Sequence, residues 1–279
     1  MRKLLLLGLL LPFAAVAQDD LLKEIDTAAT KQNVESAFKG LKIVNLESTK
    51  LAAKKDLYFV VAHRFGSIKG GFEDFWGLDN AVTQIKFIYG LTDWLTIAAG
   101  RSEQAYDFSA KYRLIPQRQD GSPVSLVLFN SLGFNNQLKE SLYPKMKFEN
   151  RLIYVNQILV SRKFSEKFSL EIAPTYFHEN FVTDDNQDNS QFAVGFGGRY
   201  KLAKRWSVNV DYATHLNRAG SSPYHNPLSV GVDLETGGHV FQMHFTNSQG
   251  IHEAGFLGNA TGDWGKGDIF FGFNLLRVF

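Results

Sequence analysis

Ile269-Phe270-Phe271-Gly272-Phe273-Asn274-Leu275-Leu276-Arg277-Val278-Phe279 is a strand-like run whose odd-numbered face is mostly large and apolar and whose last residue is aromatic. Successive side chains of a strand point to opposite sides, so the run presents one greasy face. It reads as the closing strand of a membrane β-barrel, which must leave no backbone edge facing lipid. Two residues depart from the ideal pattern. Arg277 stands on the apolar face, where a rim position lets its charge lift into the headgroups. Phe270 stands on the face expected to look inward.

The opposite end of the sequence supplies an export address. Arg2 and Lys3 form a short positive region, Leu4 to Phe13 an apolar stretch, and Ala15-Val16-Ala17 a cleavage site before Gln18. The apolar stretch is much shorter than the roughly 20 residues a helix needs to cross a bilayer, which argues against an anchor. Residues 1–17 are therefore expected to be a signal peptide. Without Arg2 and Lys3 the 30 basic residues fall to 28, equal to the 28 acidic ones, and this balance speaks against a nucleic-acid partner. There is no cysteine, so neither a disulfide nor a lipidated amino terminus is available.

From Leu57 onward apolar residues fall two apart in segments of about ten residues, the length of a tilted membrane strand. Twelve segments can be placed, at 57–65, 81–89, 94–101, 105–114, 124–132, 149–160, 168–177, 191–202, 206–215, 227–234, 239–246 and 268–279. Several assign their own faces. Tyr106, Phe108, Ala110, Tyr112 and Leu114 should meet lipid while Asp107, Ser109, Lys111 and Arg113 look inward. Trp206, Val208, Val210 and Tyr212 oppose Ser207, Asn209, Asp211 and His215 in the same way. The expected fold is all-β: a transmembrane antiparallel up-and-down barrel of about twelve strands over residues 55–279. A soluble β-sandwich also uses alternating strands and is the main structural rival, but it gives no account of the apolar closing run.

The connections alternate between short ones, such as Gly90 to Asp93 and Ala203 to Arg205, and longer stretches at 66–80, 133–148, 178–190, 216–226 and 247–267. That phase fits an even strand count with both termini in the periplasm. Ser102 to Gln104 is too short for an outer loop, and Ile115 to Pro123 is long for a turn. Residues 18–54 differ from the rest. Leu21, Leu22, Ile25, Ala28 and Ala29, followed by Val34 and Phe38, predict a short amphipathic helix and an extended linker on the periplasmic side, where a protein partner could dock.

His63-Arg64-Phe65-Gly66, Phe75-Trp76-Gly77-Leu78-Asp79-Asn80, Tyr89-Gly90-Leu91-Thr92-Asp93, His244-Phe245-Thr246-Asn247-Ser248-Gln249-Gly250 and Gly267-Asp268-Ile269-Phe270-Phe271-Gly272-Phe273 together resemble an outer-membrane barrel family. It is the domain of unknown function numbered fifty-seven seventy-seven, typical of Bacteroidetes. The resemblance covers roughly residue 40 to the end and implies a barrel in a Gram-negative outer membrane, in contact with its lipid. It carries over no catalytic or ligand residues.

With these faces the lumen is expected to receive Arg64, Lys86, Arg101, Asp107, Lys111, Arg113, Arg199, Lys201, Asp211 and Asp233, joined by Arg151, Glu171 and Glu235. Such charges either line a water-filled passage that selects small solutes or pair across the interior and plug it. Twelve strands lie between small filled barrels and large porins, so width does not choose. The basic set is concentrated in the first eight segments and the acidic set in the last four, which would give opposed walls. The expected function is a non-enzymatic, porin-like narrow channel or an envelope scaffold. An outer-membrane lipid hydrolase built on His244 and Ser248 is the alternative class, although no base, nucleophile and orienting group can be placed together. Asp184 to Ser190 spaces oxygens as calcium loops do, but Gly195 stands where the closing glutamate belongs. No metal or cofactor is expected.

Overall fold

A computed structural model describes residues 34–139, 141–184 and 186–279. The expected signal peptide and the residues Leu21 to Ala29 of the expected amphipathic helix lie outside the described residues.

Twelve strands close into one antiparallel barrel in which each pairs with its neighbours in sequence and the first pairs with the last. They are β1 (Leu57–Ser67), β2 (Ala81–Gly90), β3 (Leu95–Ser102), β4 (Ala105–Ile115), β5 (Ser125–Asn135) and β6 (Leu152–Lys163). The other half comprises β7 (Phe168–Glu179), β8 (Ser190–Lys201), β9 (Trp206–His215), β10 (Leu228–Thr236), β11 (His239–Thr246) and β12 (Phe270–Val278). Every predicted segment coincides with a strand, although β6 begins only at Leu152, after a 3-10 turn over Glu149–Arg151. The seam is regular from Tyr58 opposite Val278 to Arg64 opposite Gly272, and a register irregularity follows before Ser67. Closure satisfies the backbone of both edge strands at once.

Alternation decides the faces. Along β7 and β8 the even positions are exposed or half-buried and the odd ones as far as Arg199 buried, and on β8 this turns Phe192, Val194, Phe196 and Tyr200 outward and Ala193, Gly195, Gly197 and Arg199 inward. Phe270 is buried, as its place on the inward face requires, while Arg277 is exposed beside the ring of Phe279. Both termini of the barrel lie at the end that carries the short turns, here the turn end; the longer connections lie at the loop end.

The segment before β1 departs from the expected periplasmic linker. Residues 34–54 enter the barrel at the turn end, where the Val34 N–H donates to the Gln117 carbonyl, and turn back inside it. They leave near β2, with the Lys55 N–H donating to the Gly90 carbonyl. Phe38, Leu41, Ile43, Val44 and Leu46 are each 3% exposed or less, so their apolar character reflects burial against the inner wall rather than a helix face. Phe38 lies in irregular backbone.

The two connections that break the expected phase both serve this filling. The long turn 116–124 receives the entering chain at Gln117. The tight β3–β4 hairpin at the loop end is roofed by the last long connection: Gln104 donates from Nε2 to the Gln249 carbonyl and accepts the Ile251 N–H at Oε1. That connection folds down into the barrel and carries a short α-helix, α1 (Glu253–Gly258), all six residues of which are buried, followed by a 3-10 turn at Trp264–Lys266.

Candidate functional site in the barrel lumen

Inside the barrel, residues 41–48 form a hairpin-like turn: the Ile43 N–H donates to the Leu46 carbonyl and the Ser48 N–H to the Leu41 carbonyl. Its tip exposes three consecutive N–H groups, and one wall carboxylate takes all of them. Asp211 Oδ2 accepts from Val44 at 3.1 Å, Asn45 at 2.6 Å and Leu46 at 2.9 Å. Successive N–H groups in a turn form a concave anion seat, here filled from the protein's own wall. Asn45 anchors the tip further. Its Oδ1 accepts a fork from Arg64, at 3.0 Å from Nε and 2.6 Å from Nη2, and its Nδ2 donates to Ser229 Oγ.

The rest of the segment is held in the same style. Lys111 Nζ donates to the carbonyls of Leu41 and Ser48 and pairs with Glu47 at 2.7 Å. The Thr49 N–H donates to Glu171, and the Ala52 N–H to Thr96 Oγ1. Gln242 Nε2 reaches the Ile43 carbonyl and Asp233 Oδ1, while Asn274 Nδ2 reaches the Val44 carbonyl. Buried backbone groups of an irregular segment need such partners, and the wall supplies side chains where a sheet would supply backbone.

Two parts of the filling meet at one ion pair. Lys42 Nζ lies 2.8 Å from Glu253 at the start of α1 and 3.2 Å from Glu47. Burial works against the charge of Glu253, but Lys42 and Lys86 outweigh it and hold its carboxyl well below the usual carboxylate range. Near the turn end, Glu35 accepts from Lys39 and Lys163, and the hydrogen bond from Lys39 leads in lowering its pKa to about 2.

One side of the interior is apolar instead. Phe129, Val155, Leu159 and Phe177 of the β5–β7 wall join Phe38, Ile43, Leu46 and Leu51 of the inner segment and Phe256 and Leu257 of α1 in one buried cluster. Gly195 and Gly197 make room for it. A Cβ on Gly197 would stand 2.0 Å from Ile43 Cδ1, and one on Gly195 2.8 Å from Leu46 Cδ1, so the glycines are seats for these two side chains. Apart from a polar pocket of about 210 Å³ at the loop end, lined by Glu179, Gln191 and Arg218, the cavities beside Lys86 and Glu47 are about 40 and 20 Å³. Each of the latter two is the size of a water molecule or so.

Of the expected lumen residues, Arg64, Lys86, Asp107, Lys111, Arg199, Asp211 and Asp233 are buried within the barrel. Arg113 and Lys201 share their inward parity but sit half-buried near the turn end, Arg113 on the Asp93 carbonyl. Glu235 pairs with Lys39 at 3.3 Å. Arg101 corrects the expectation: it is exposed on the outward face of β3, donating to Tyr106 Oη at 3.0 Å and lying over that ring. A loop-end position on the outside lets a guanidinium reach the headgroups, so its charge does not require an inward face. Arg151 is also outside the interior network, over the Phe134 ring.

The expected separation into basic and acidic walls gives way to local pairing. Lys86 meets Asp107 at 2.8 Å, and Lys111 meets Glu47 of the inner segment rather than a distant acidic strand. Sequence reading missed Lys42, Asn45, Glu47, Gln242, Glu253 and Asn274. The usable signal was the pair of inward glycines beside the unassigned apolar run Ile43-Val44-Asn45-Leu46, a hole and a body to fill it.

His244 and Ser248 do not assemble a nucleophile and base. Both are buried inside, neither ring nitrogen of His244 has a hydrogen-bond partner, and the Ser248 hydroxyl is 3.5 Å from the Phe256 carbonyl. His244 lies instead against Gly272, where a Cβ would come within 2.5 Å of Nε2.

A closed cylinder with an apolar outer face and a filled, ionic interior defines a membrane-bound β-barrel. The chain belongs to the membrane-bound β-barrel domain family DUF5777, whose model matches residues 38–279 and so takes in the inner segment as well as the strands. No curated protein matches the sequence. Among solved structures, the KdgM porin in complex with disordered oligogalacturonate is similar with a TM-score of 0.51 at 6% identity, over 80% of this chain and 99% of that one. The NanC porin gives 0.49 at 9% identity, over 80% and 98%. The COG4313 outer membrane channel from Pseudomonas putida F1 gives 0.46 at 13% identity, over 82% and 97%. The KdgM likeness bears on the fold.

Proposed function

We propose that this protein is an outer-membrane barrel carrying a passage for small polar solutes that residues 34–54 hold shut. The observation that carries this reading is the capture of the hairpin tip by Asp211. The tip is fixed by hydrogen bonds to wall side chains, which water can replace group for group once the segment withdraws. The wall left behind would be lined by Arg64, Gln84, Lys86, Asp107, Lys111 and Asp211, a set suited to a hydrated, charge-selective path. The KdgM porin, a barrel of similar fold, is described with an oligogalacturonate, which makes polar oligomers a sensible first solute class to try.

An envelope scaffold with a permanently filled core is the second reading, and the apolar cluster favours it. Each fully buried Phe, Leu or Ile contributes about 2 kcal/mol to holding the segment in place. Planar-bilayer recordings separate the two. The full chain is expected to be nearly silent, and the full chain with Asp211→Ala and Gly197→Val to give stepwise conductance. Silence from that variant, folded and inserted, overturns the gated passage in favour of the scaffold. Assays with phospholipid and lipopolysaccharide test the hydrolase class; product lost on His244→Ala would overturn a non-enzymatic role.

A further inference from the structure

The outer wall of β2 to β6 carries a trough of about 790 Å³ in which the small side chains Ala99 and Ala110 lie between Phe87, Phe108 and Leu132. A second trough, of about 360 Å³, follows around Leu128, Ile158 and Pro174. Between the two, and lining both, stand Asn130 and Asn156. They face each other across the β5–β6 ladder, both exposed, with Asn130 Nδ2 donating to Asn156 Oδ1 at 2.6 Å. Asn130 is the middle residue of β5, flanked on its face by Leu128 and Leu132.

Amides at mid-strand on the lipid side are out of keeping with their surroundings, because hydrocarbon offers no hydrogen-bond partner. Their mutual bond uses one amino group and one carbonyl, leaving Asn130 Oδ1 and Asn156 Nδ2 with unmet capacity. A free acceptor beside a free donor is self-complementary under a two-fold rotation, the symmetry of an isologous dimer. The small residues of the trough also let a second wall approach closely, as polar and small residues do at membrane interfaces. An acyl chain would fill the trough but answer neither amide.

We propose that this protein forms a two-fold dimer within the membrane through the β2–β6 wall, with the Asn130–Asn156 pairs of two copies closing a ring of four amides on the axis. The chain has no cysteine, so single cysteines report contact directly. In membranes, Ala110→Cys is expected to give a dimer with a short bis-maleimide, whereas Val230→Cys, exposed on the opposite wall, is not. Adding Asn130→Leu with Asn156→Leu should reduce the Ala110→Cys dimer at least tenfold while the barrel keeps its heat-modifiable migration. Separately, Ala110→Trp, which fills the trough and leaves the amides intact, should move the protein to monomer in native mass spectrometry. Equal cross-linking at the two walls, survival of the dimer without the amides, or a native monomer carrying tightly bound lipid would overturn the proposal.

Discussion

Asp211 Oδ2 accepts the backbone N–H of Asn45 at 2.6 Å, so a strand in the last third of the barrel holds a turn from the segment that precedes the first strand. The same oxygen takes the N–H groups of Val44 and Leu46, which makes this carboxylate the main clasp between the wall and its filling.

Removing the clasp leaves three buried N–H groups without an acceptor. Asp211→Ala is expected to lower stability by about 3 kcal/mol, since bonds to a charged group are worth more than neutral ones and orphaned donors add a penalty. Urea unfolding of the folded barrel followed by tryptophan fluorescence measures it. A loss below about 1 kcal/mol would show that the tip is held elsewhere.

Gly197 tests the seat. Gly197→Val should unseat Ile43, making residues 34–54 open to added protease while the barrel stays intact, because the new side chain claims the space of the Ile43 methyl. Adding Ile43→Ala should restore protection. A Gly197→Val protein that is protected as well as the native one would remove the seat from the account.

The ion pair between Lys42 and Glu253 joins the inner segment to the last loop. Lys42→Ala leaves a carboxylate of 3% exposure without its nearest cation, at a cost of about 3 kcal/mol. Cleavage in 247–267 should rise markedly, and less so in Lys42→Ala with Glu253→Gln, where no charge is stranded. Equal cleavage in the two variants would count against this link.

Acid should loosen the entry of the segment in a defined window. The Glu35 pKa is lowered from 4.5 to about 2, so its contribution is present above 4.5 and is lost as pH falls toward 2. An environment-sensitive dye on Ser36→Cys should be steady from pH 7 to 5 and change between about 4.5 and 2. A transition centred above pH 5 would assign the change to another group.

The strands were legible because a wall one residue thick, with lipid on one side and a polar interior on the other, writes a period of two into the sequence. All twelve segments, and the inward parity of Asp107, Lys111 and Asp211, follow from that alternation. Arg101 obeys it as well, sharing the outward face of Ile97 and Ala99, and only its charge suggested the lumen. The inner segment escaped it. Its backbone is irregular, so Phe38, Ile43 and Leu46 show no period, and their partners Phe129, Phe177 and Gly197 are distant in the chain.

The sequence alone determined that this chain makes a closed, all-β wall with one apolar and one polar face, since that property is local and repeats along each strand. Only the tertiary structure decided that the interior is occupied, because filling depends on which distant groups meet once the cylinder closes. Asp211 reads the same in sequence whether it faces water or three N–H groups, and closure of the wall around residues 34–54 makes the difference.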